Sequence, residues 1–239
     1  MEIRFFEMVQ DMLFPRRCPV CHEIIVPTGP RICADCEQRL VFVTEPYCIK
    51  CGKPVRRDEE EYCRECKGKD QDFTEGRAVF VYDEVMKKSI YRFKYGGRQE
   101  YAGFYAQEIE KCLGEKIRKW DAQALIPIPL HKSRQSGRGY NQAELIAKEL
   151  QKITGIPVCG NFVKRVKRTV VQKNLNVFER ENNLKKAFKI ERNDVKLKSV
   201  ILIDDIYTTG STINAAARCL RQAGITNIYF IVLSIGKAF

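Results

Sequence analysis

The sequence predicts an α/β protein, a parallel sheet flanked by helices, preceded by a small cysteine-rich module that needs metal to fold. Three observations carry that expectation. Residues 200–203 read Val-Ile-Leu-Ile, a short apolar run of the kind that fills a strand buried on both faces. Strand, loop and helix patterns alternate through the second part of the chain, as parallel sheets require. Eight of the eleven cysteines form four Cys-x-x-Cys pairs near the N-terminus.

In chain order, residues 1–14 come first. Phe5, Phe6, Met8, Val9, Met12, Leu13 and Phe14 give them an apolar face, so a helix ending before Pro15 is expected, packed on the rest of the chain. The cysteine pairs follow: Cys18/Cys21, Cys33/Cys36, Cys48/Cys51 and Cys63/Cys66. The first two pairs recur 30 residues later with only the cysteines in common, so the spacing itself matters. Two thiolate knuckles joined by a short hairpin make a tetrahedral Cys₄ zinc site, and the spacing reads as two such ribbons in tandem over residues 15–76. Sequential pairing of knuckles is the most local arrangement; crossed pairing stays open. His22 follows a ligand cysteine and could substitute for it, but a complete Cys₄ set makes that unnecessary. So few large apolar side chains occur here that structural Zn²⁺ is required for folding.

Residues 67–76 are polar, with Gly68 and Gly76, and read as a linker. Residues 77–82 read as a strand, 85–95 as a helix closed by Gly96-Gly97, and 101–113 as a second amphipathic helix. Residues 124–129 read as the next strand. A basic loop with His131, Lys132, Arg134 and Arg138 follows, then a helix over 140–153. Residues 161–189 are the most basic region and have many Asn and Gln residues, so weak local structure is expected. The strand at 200–203 is followed by a helix over 213–223, a stop at Gly224 and a last strand over 228–235. Cys112, Cys159 and Cys219 are isolated and read as packing residues.

Charge divides the chain. Of the net +12, residues 1–76 contribute −3 and residues 77–239 contribute +15. With eight thiolates and two Zn²⁺ the N-terminal part would stand at about −7, a poor electrostatic footprint for DNA. That weakens the reading of the ribbons as a transcription-factor module and leaves them a structural or protein-docking role. The basic second part suits a polyanion. No apolar run approaches the ~20 residues of a membrane span, and the charged N-terminus does not read as a signal peptide. A cytoplasmic protein without membrane insertion is expected.

The chemistry concentrates at 204–212. Ligands of open α/β sheets bind at the carboxyl ends of strands. Thr208, Thr209, Gly210, Ser211 and Thr212 offer hydroxyls, backbone N–H groups and a helix N-terminus, a combination that favours phosphate. Asp204 and Asp205 would repel phosphate and suit sugar hydroxyls or a hard divalent cation. A sugar phosphate with vicinal hydroxyls fits both halves. The competing reading is a strand ending in a solvated acidic turn, with Thr209 or Ser211 as helix N-cap.

This segment closely resembles the phosphoribosyl-pyrophosphate (PRPP) motif of type I phosphoribosyltransferases. Together with Phe93-Lys94-Tyr95-Gly96, Pro127-Ile128-Pro129-Leu130, Arg138-Gly139-Tyr140-Asn141-Gln142 and Gln172 with Arg180, it is similar in order to the ComF family, which joins zinc ribbons to a phosphoribosyltransferase-like domain. The resemblance implies a type I phosphoribosyltransferase-like domain over 77–239, with Asp204 and Asp205 on the ribose hydroxyls and residues 208–212 on the 5′-phosphate. It further implies a pyrophosphate loop at 130–142, including His131, Lys132, Arg134 and Arg138, and a mobile loop at 165–180 including Gln172 and Arg180. PRPP with Mg²⁺ would be the ligand and natural transformation the setting. Two functions remain: pentosyl transfer to an unknown acceptor, or a non-catalytic PRPP or nucleotide sensor that binds single-stranded DNA or DNA-uptake and recombination proteins.

Overall fold

The computed structural model describes residues 15–25, 29–130, 137–166, 187–191 and 196–237; the helix expected at 1–14 lies outside them. The elements run from α1 (Ala34–Glu37), a single turn in the cysteine-rich segment, to β1 (Glu75–Val81), α2 (Glu84–Tyr95) and α3 (Tyr101–Trp120). Then come β2 (Ala124–Pro127), α4 (Gln142–Thr154), the short strands β3 (Val163–Arg165) and β4 (Phe188–Ile190), β5 (Ser199–Tyr207), α5 (Ser211–Gln222) and β6 (Asn227–Ile235).

Four strands form one sheet in the order β1–β6–β5–β2, with every pairing parallel. Alternate residues of β5 feed two cores. Ile201 and Ile203 pack in one core, Val200 and Leu202 in the other. A strand so buried has no polar face to show, which is why its sequence is a continuous apolar run. Helices α3 and α4 pack on the first face and α5 on the second.

Helix α3 runs past its expected end at 113. Gly114 does not stop it, because Ile117 and Trp120 continue the buried stripe, and Asp121 closes the helix in a left-handed conformation (φ 44°). The basic region expected to be loosely structured is framed by an antiparallel pair: β3 and β4 match Val163 to Ile190 and Arg165 to Phe188. Residues 167–186 between them lie outside the described set.

The cysteine-rich segment clasps the sheet rather than standing apart from it. Phe42 bridges Phe80 of β1 in antiparallel register, with Val43 N–H donating to Val79 and Val81 N–H to Val41. That pairing covers the sheet's β1 edge, which would otherwise present unpaired backbone groups. The first cysteine group lies in the core of one face and the second in the core of the other. Residues 67–76 join module to sheet as a packed strap. Phe73 is buried edge-on against Phe230 and Tyr207, and Arg218 holds Asp72 at 2.9 Å.

The chain changes direction between β2 and β5. From β2 it crosses through α4 to Val158, which bridges Leu125 in parallel on the outer side; from β5 it crosses through α5 to β6 on the other side. The crossovers lie on opposite faces, so the carboxyl ends of β2 and β5 are left open between them. This is the topological switch point at which such sheets bind ligands.

Candidate functional site

A cleft of about 320 Å³ occupies that switch point, at the small end of the usual range for ligand pockets. Ile128, Pro129 and Leu130, after β2, form one wall. Asp204, Asp205 and Ile206 of β5, with Thr208 and Thr212 beyond it, form another. Lys94, Arg138 and Arg165 complete the lining.

The acid pair is built by the strand end. Asp205 N–H donates to Asp204 Oδ1 at 2.9 Å, so the first carboxylate is fixed by the backbone of the second. Asp205 Oδ2 meets Lys94 Nζ at 2.8 Å, with both side chains largely buried. Burial, and then the neighbouring Asp205, push the Asp204 carboxyl up to about 7; the Asp205 N–H, Lys94 and Arg165 pull the other way.

The hydroxyl loop is shaped by Gly210 and Tyr207. Gly210 has φ +77°, and a Cβ there would stand 2.2 Å from the Tyr207 hydroxyl. Tyr207 is itself locked, stacked on Phe230 at 4.9 Å and 2°. Gly210, rather than Thr209 or Ser211, is the N-cap of α5, and no side chain caps the helix. The hydroxyls of Thr209 and Ser211 instead lie 3.0 Å from each other. Uncapped N–H groups at this end remain suited to an anion.

The cationic side is held by an interlock of two segments far apart in sequence. Tyr140 donates its hydroxyl to the Phe93 carbonyl. Arg138 lies over the Tyr95 ring at 4.6 Å, donates to the Tyr95 hydroxyl at 2.7 Å and donates to Gln142 Oε1 at 3.0 Å. Asn141 caps α4 and donates to the Ile128 carbonyl at 3.0 Å, tying the helix to the end of β2. The arrangement can take a ligand with anionic ends and a hydroxyl-bearing middle.

Asp204, Asp205, Thr208, Thr212 and Arg138 thus share one cleft, with Thr209, Gly210 and Ser211 in the loop beside it. His131, Lys132, Arg134, Gln172 and Arg180 lie outside the described residues. In the sequence Lys94 shows only as part of the motif at residues 93–96; its pairing with Asp205 is a contact between distant segments. A basic residue at the end of a helix just before Gly-Gly was the available signal, but nothing local says what it faces.

Two Cys₄ clusters stand apart from the cleft. Cys18, Cys21, Cys33 and Cys36 form one, and Cys48, Cys51, Cys63 and Cys66 the other; in each the sulfur atoms lie within 4.8 Å of one another. Pairing is therefore sequential and not crossed. The Cys21–Cys33, Cys18–Cys33 and Cys51–Cys63 sulfurs are 3.7, 3.7 and 3.6 Å apart. A tetrahedron of Zn–S bonds of about 2.3 Å has edges of roughly 3.8 Å, so both sets fit structural zinc, and these spacings are far too long for disulfides. His22 is engaged elsewhere: its Nδ1 is 2.7 Å from the Tyr101 hydroxyl.

Residues 9–67 match the double zinc ribbon domain family, and residues 137–237 the phosphoribosyl transferase domain family. The chain is 44% identical over 108 residues to competence protein F of Haemophilus influenzae, covering 44% of this chain and 47% of that one. It is 33% identical over 153 residues to competence protein ComFC of Bacillus subtilis, covering 63% and 59%. The DNA utilization protein YhgH of Escherichia coli K12 is 28% identical over 149 residues, covering 61% and 65%. The chain spans less than two thirds of the length of each of these three relatives.

Proposed function

Because the chain belongs to the ComF family, with its double zinc ribbon and phosphoribosyl transferase domain, we propose that the switch-point cleft binds PRPP or a closely related sugar phosphate. The observation that carries the reading is that one cleft brings together the hydroxyl loop at a helix N-terminus, the acid pair, and the cations Lys94, Arg138 and Arg165. The loop at 208–212 takes the 5′-phosphate, and Asp204 and Asp205 accept hydrogen bonds from the ribose hydroxyls. The three cations face the pyrophosphate. Mg²⁺ would enter with the ligand, and the oxygen ligands of the acid pair suit it. When bound, the metal would neutralise charge on the pyrophosphate.

With an acceptor present, the same residues would favour transfer. The acid pair holds the ribose, and the cations stabilise charge on pyrophosphate as the bond to the anomeric carbon breaks. A second reading, binding without turnover, draws on the Lys94–Asp205 ion pair, which places a cation on the very carboxylate that receives the ribose. Either way, the names of the relatives and the +15 of residues 77–239 support a role in handling incoming DNA, with single-stranded DNA or DNA-uptake proteins as partners and the cytoplasm as the setting. Among the described residues no helix is long and apolar enough to cross a membrane.

Calorimetric titration with PRPP and Mg²⁺, followed by assay of pyrophosphate release with individual nucleobases, tests both readings. Saturable binding is expected. Release with one base identifies an enzyme, and binding without release a sensor. Absence of binding would refute the proposal.

A further inference from the structure

Lys53 is 3% exposed and belongs to the second zinc ribbon, yet it reaches the hydroxyl loop of the cleft. Its backbone carbonyl accepts from Cys48 N–H at 2.8 Å, which fixes it in the first knuckle of that ribbon. Its Nζ is 2.8 Å from Glu65 Oε1, beside Cys66 in the second knuckle, and 3.2 Å from the Thr208 carbonyl. One buried ammonium therefore joins both knuckles to the start of the loop. A buried charge keeps such a place only with partners that satisfy it, and here the partner across the module boundary is a backbone carbonyl of the proposed phosphate loop.

The orientation of that carbonyl matters. The Thr208–Thr209 peptide is trans, so its C=O and N–H point in opposite directions. Holding the carbonyl on Lys53 turns the Thr209 N–H away from the Lys53 ammonium, and Thr208 itself lines the cleft. The second ribbon thus fixes the plane of the peptide that opens the hydroxyl loop. Tyr207 and Gly210 fix the following turn, and Tyr207 packs in the same core as Cys48, Cys51, Cys63 and Cys66.

We infer that Lys53 is a positioning residue for the sugar-phosphate site, through which the second zinc ribbon holds the phosphate loop in its anion-receptive form. The inference rests on the sugar-phosphate reading of the cleft and adds to it a requirement from outside the phosphoribosyl transferase domain. Lys94 is held by Asp205, and Arg138 by Tyr95 and Gln142; none of these contacts involves Lys53. The hydroxyl loop and the cationic side should therefore respond differently to its loss.

The test uses the full chain with Lys53→Met and Glu65→Gln together, so that no carboxylate is left without its partner. Affinities for ribose 5-phosphate and for inorganic pyrophosphate are measured separately, with zinc content. The expected result is a loss of about tenfold for ribose 5-phosphate, the scale of one charge-assisted hydrogen bond, with pyrophosphate affinity and both zinc ions retained. Unchanged ribose 5-phosphate affinity overturns the inference while leaving the sugar-phosphate reading in place. Equal loss of both ligands, or loss of zinc, overturns it in favour of a general structural role. A wild-type protein that does not bind ribose 5-phosphate refutes the sugar-phosphate reading, and this inference falls with it.

Discussion

Asp204 binds its proton more tightly in the folded chain than an ordinary carboxylate does, and the sign of its effect on stability follows from that. Its folded value of about 7 lies above the usual value of 3.8. Between the two, the folded state holds more protons than the unfolded state, so stability falls as pH rises through this window. The groups facing it are Asp205 on its own strand, Lys94 on α2 and Arg165 on β3. Thermal melts from pH 4 to pH 8 should show wild type losing ground to Asp204→Asn as pH rises. The expected loss is a few degrees, each kcal/mol being worth about 2–4 °C in a chain of this size. Parallel curves would contradict the burial of this carboxyl. Gly210 gives a second residue-scale prediction. Its left-handed φ and the Tyr207 hydroxyl leave no room for a methyl group, so Gly210→Ala should cost about 1–3 kcal/mol and weaken ribose 5-phosphate binding. Denaturant midpoints and calorimetry read the two effects.

At the scale of elements, what the sequence made legible was what is encoded locally. The strand at 200–203 could be read because both faces of β5 are buried, and the ribbons because thiolate spacing is set by zinc geometry. The acid pair and hydroxyl loop could be read because they follow β5 without a break. Long-range placement was not legible. Gly76 read as linker punctuation, but its reason is the Phe230 ring, which would stand 2.0 Å from a Cβ. Phe73, within the segment that reads as a polar linker, is fully buried. Lys53 and Lys94 matter through partners 155 and 111 positions away, which no local pattern reveals. The ribbons also yield a prediction. Cys33→Ser removes a ligand from the first cluster only, so the variant should bind one zinc ion and the wild type two. It should also melt several degrees lower, because that cluster lies in the core beside α2 and α3. Metal analysis and calorimetry would check this; full zinc content would contradict the assignment.

For the whole molecule, the clasp and the charge division belong to one design. An acidic module covers one edge of a basic sheet domain, so the positive excess of residues 77–239 is concentrated on the part that carries the cleft. If that surface meets single-stranded DNA, binding should weaken steeply with salt. The slope of log K against log salt would be near −2 for three neutralised phosphates, at about −0.7 each. Filter binding across a salt series measures it, and a flat dependence would remove the electrostatic argument for a nucleic-acid partner.

On the proposed function, the cleft between β2 and β5 holds a sugar phosphate in one orientation. A crystal structure of the protein with ribose 5-phosphate bound tests it most directly. The account predicts the phosphate at the N-terminus of α5, within hydrogen-bond distance of the loop at 208–212, and the ribose hydroxyls on Asp204 and Asp205. A phosphate seated instead among Lys94, Arg138 and Arg165, with the loop at 208–212 empty, would contradict it.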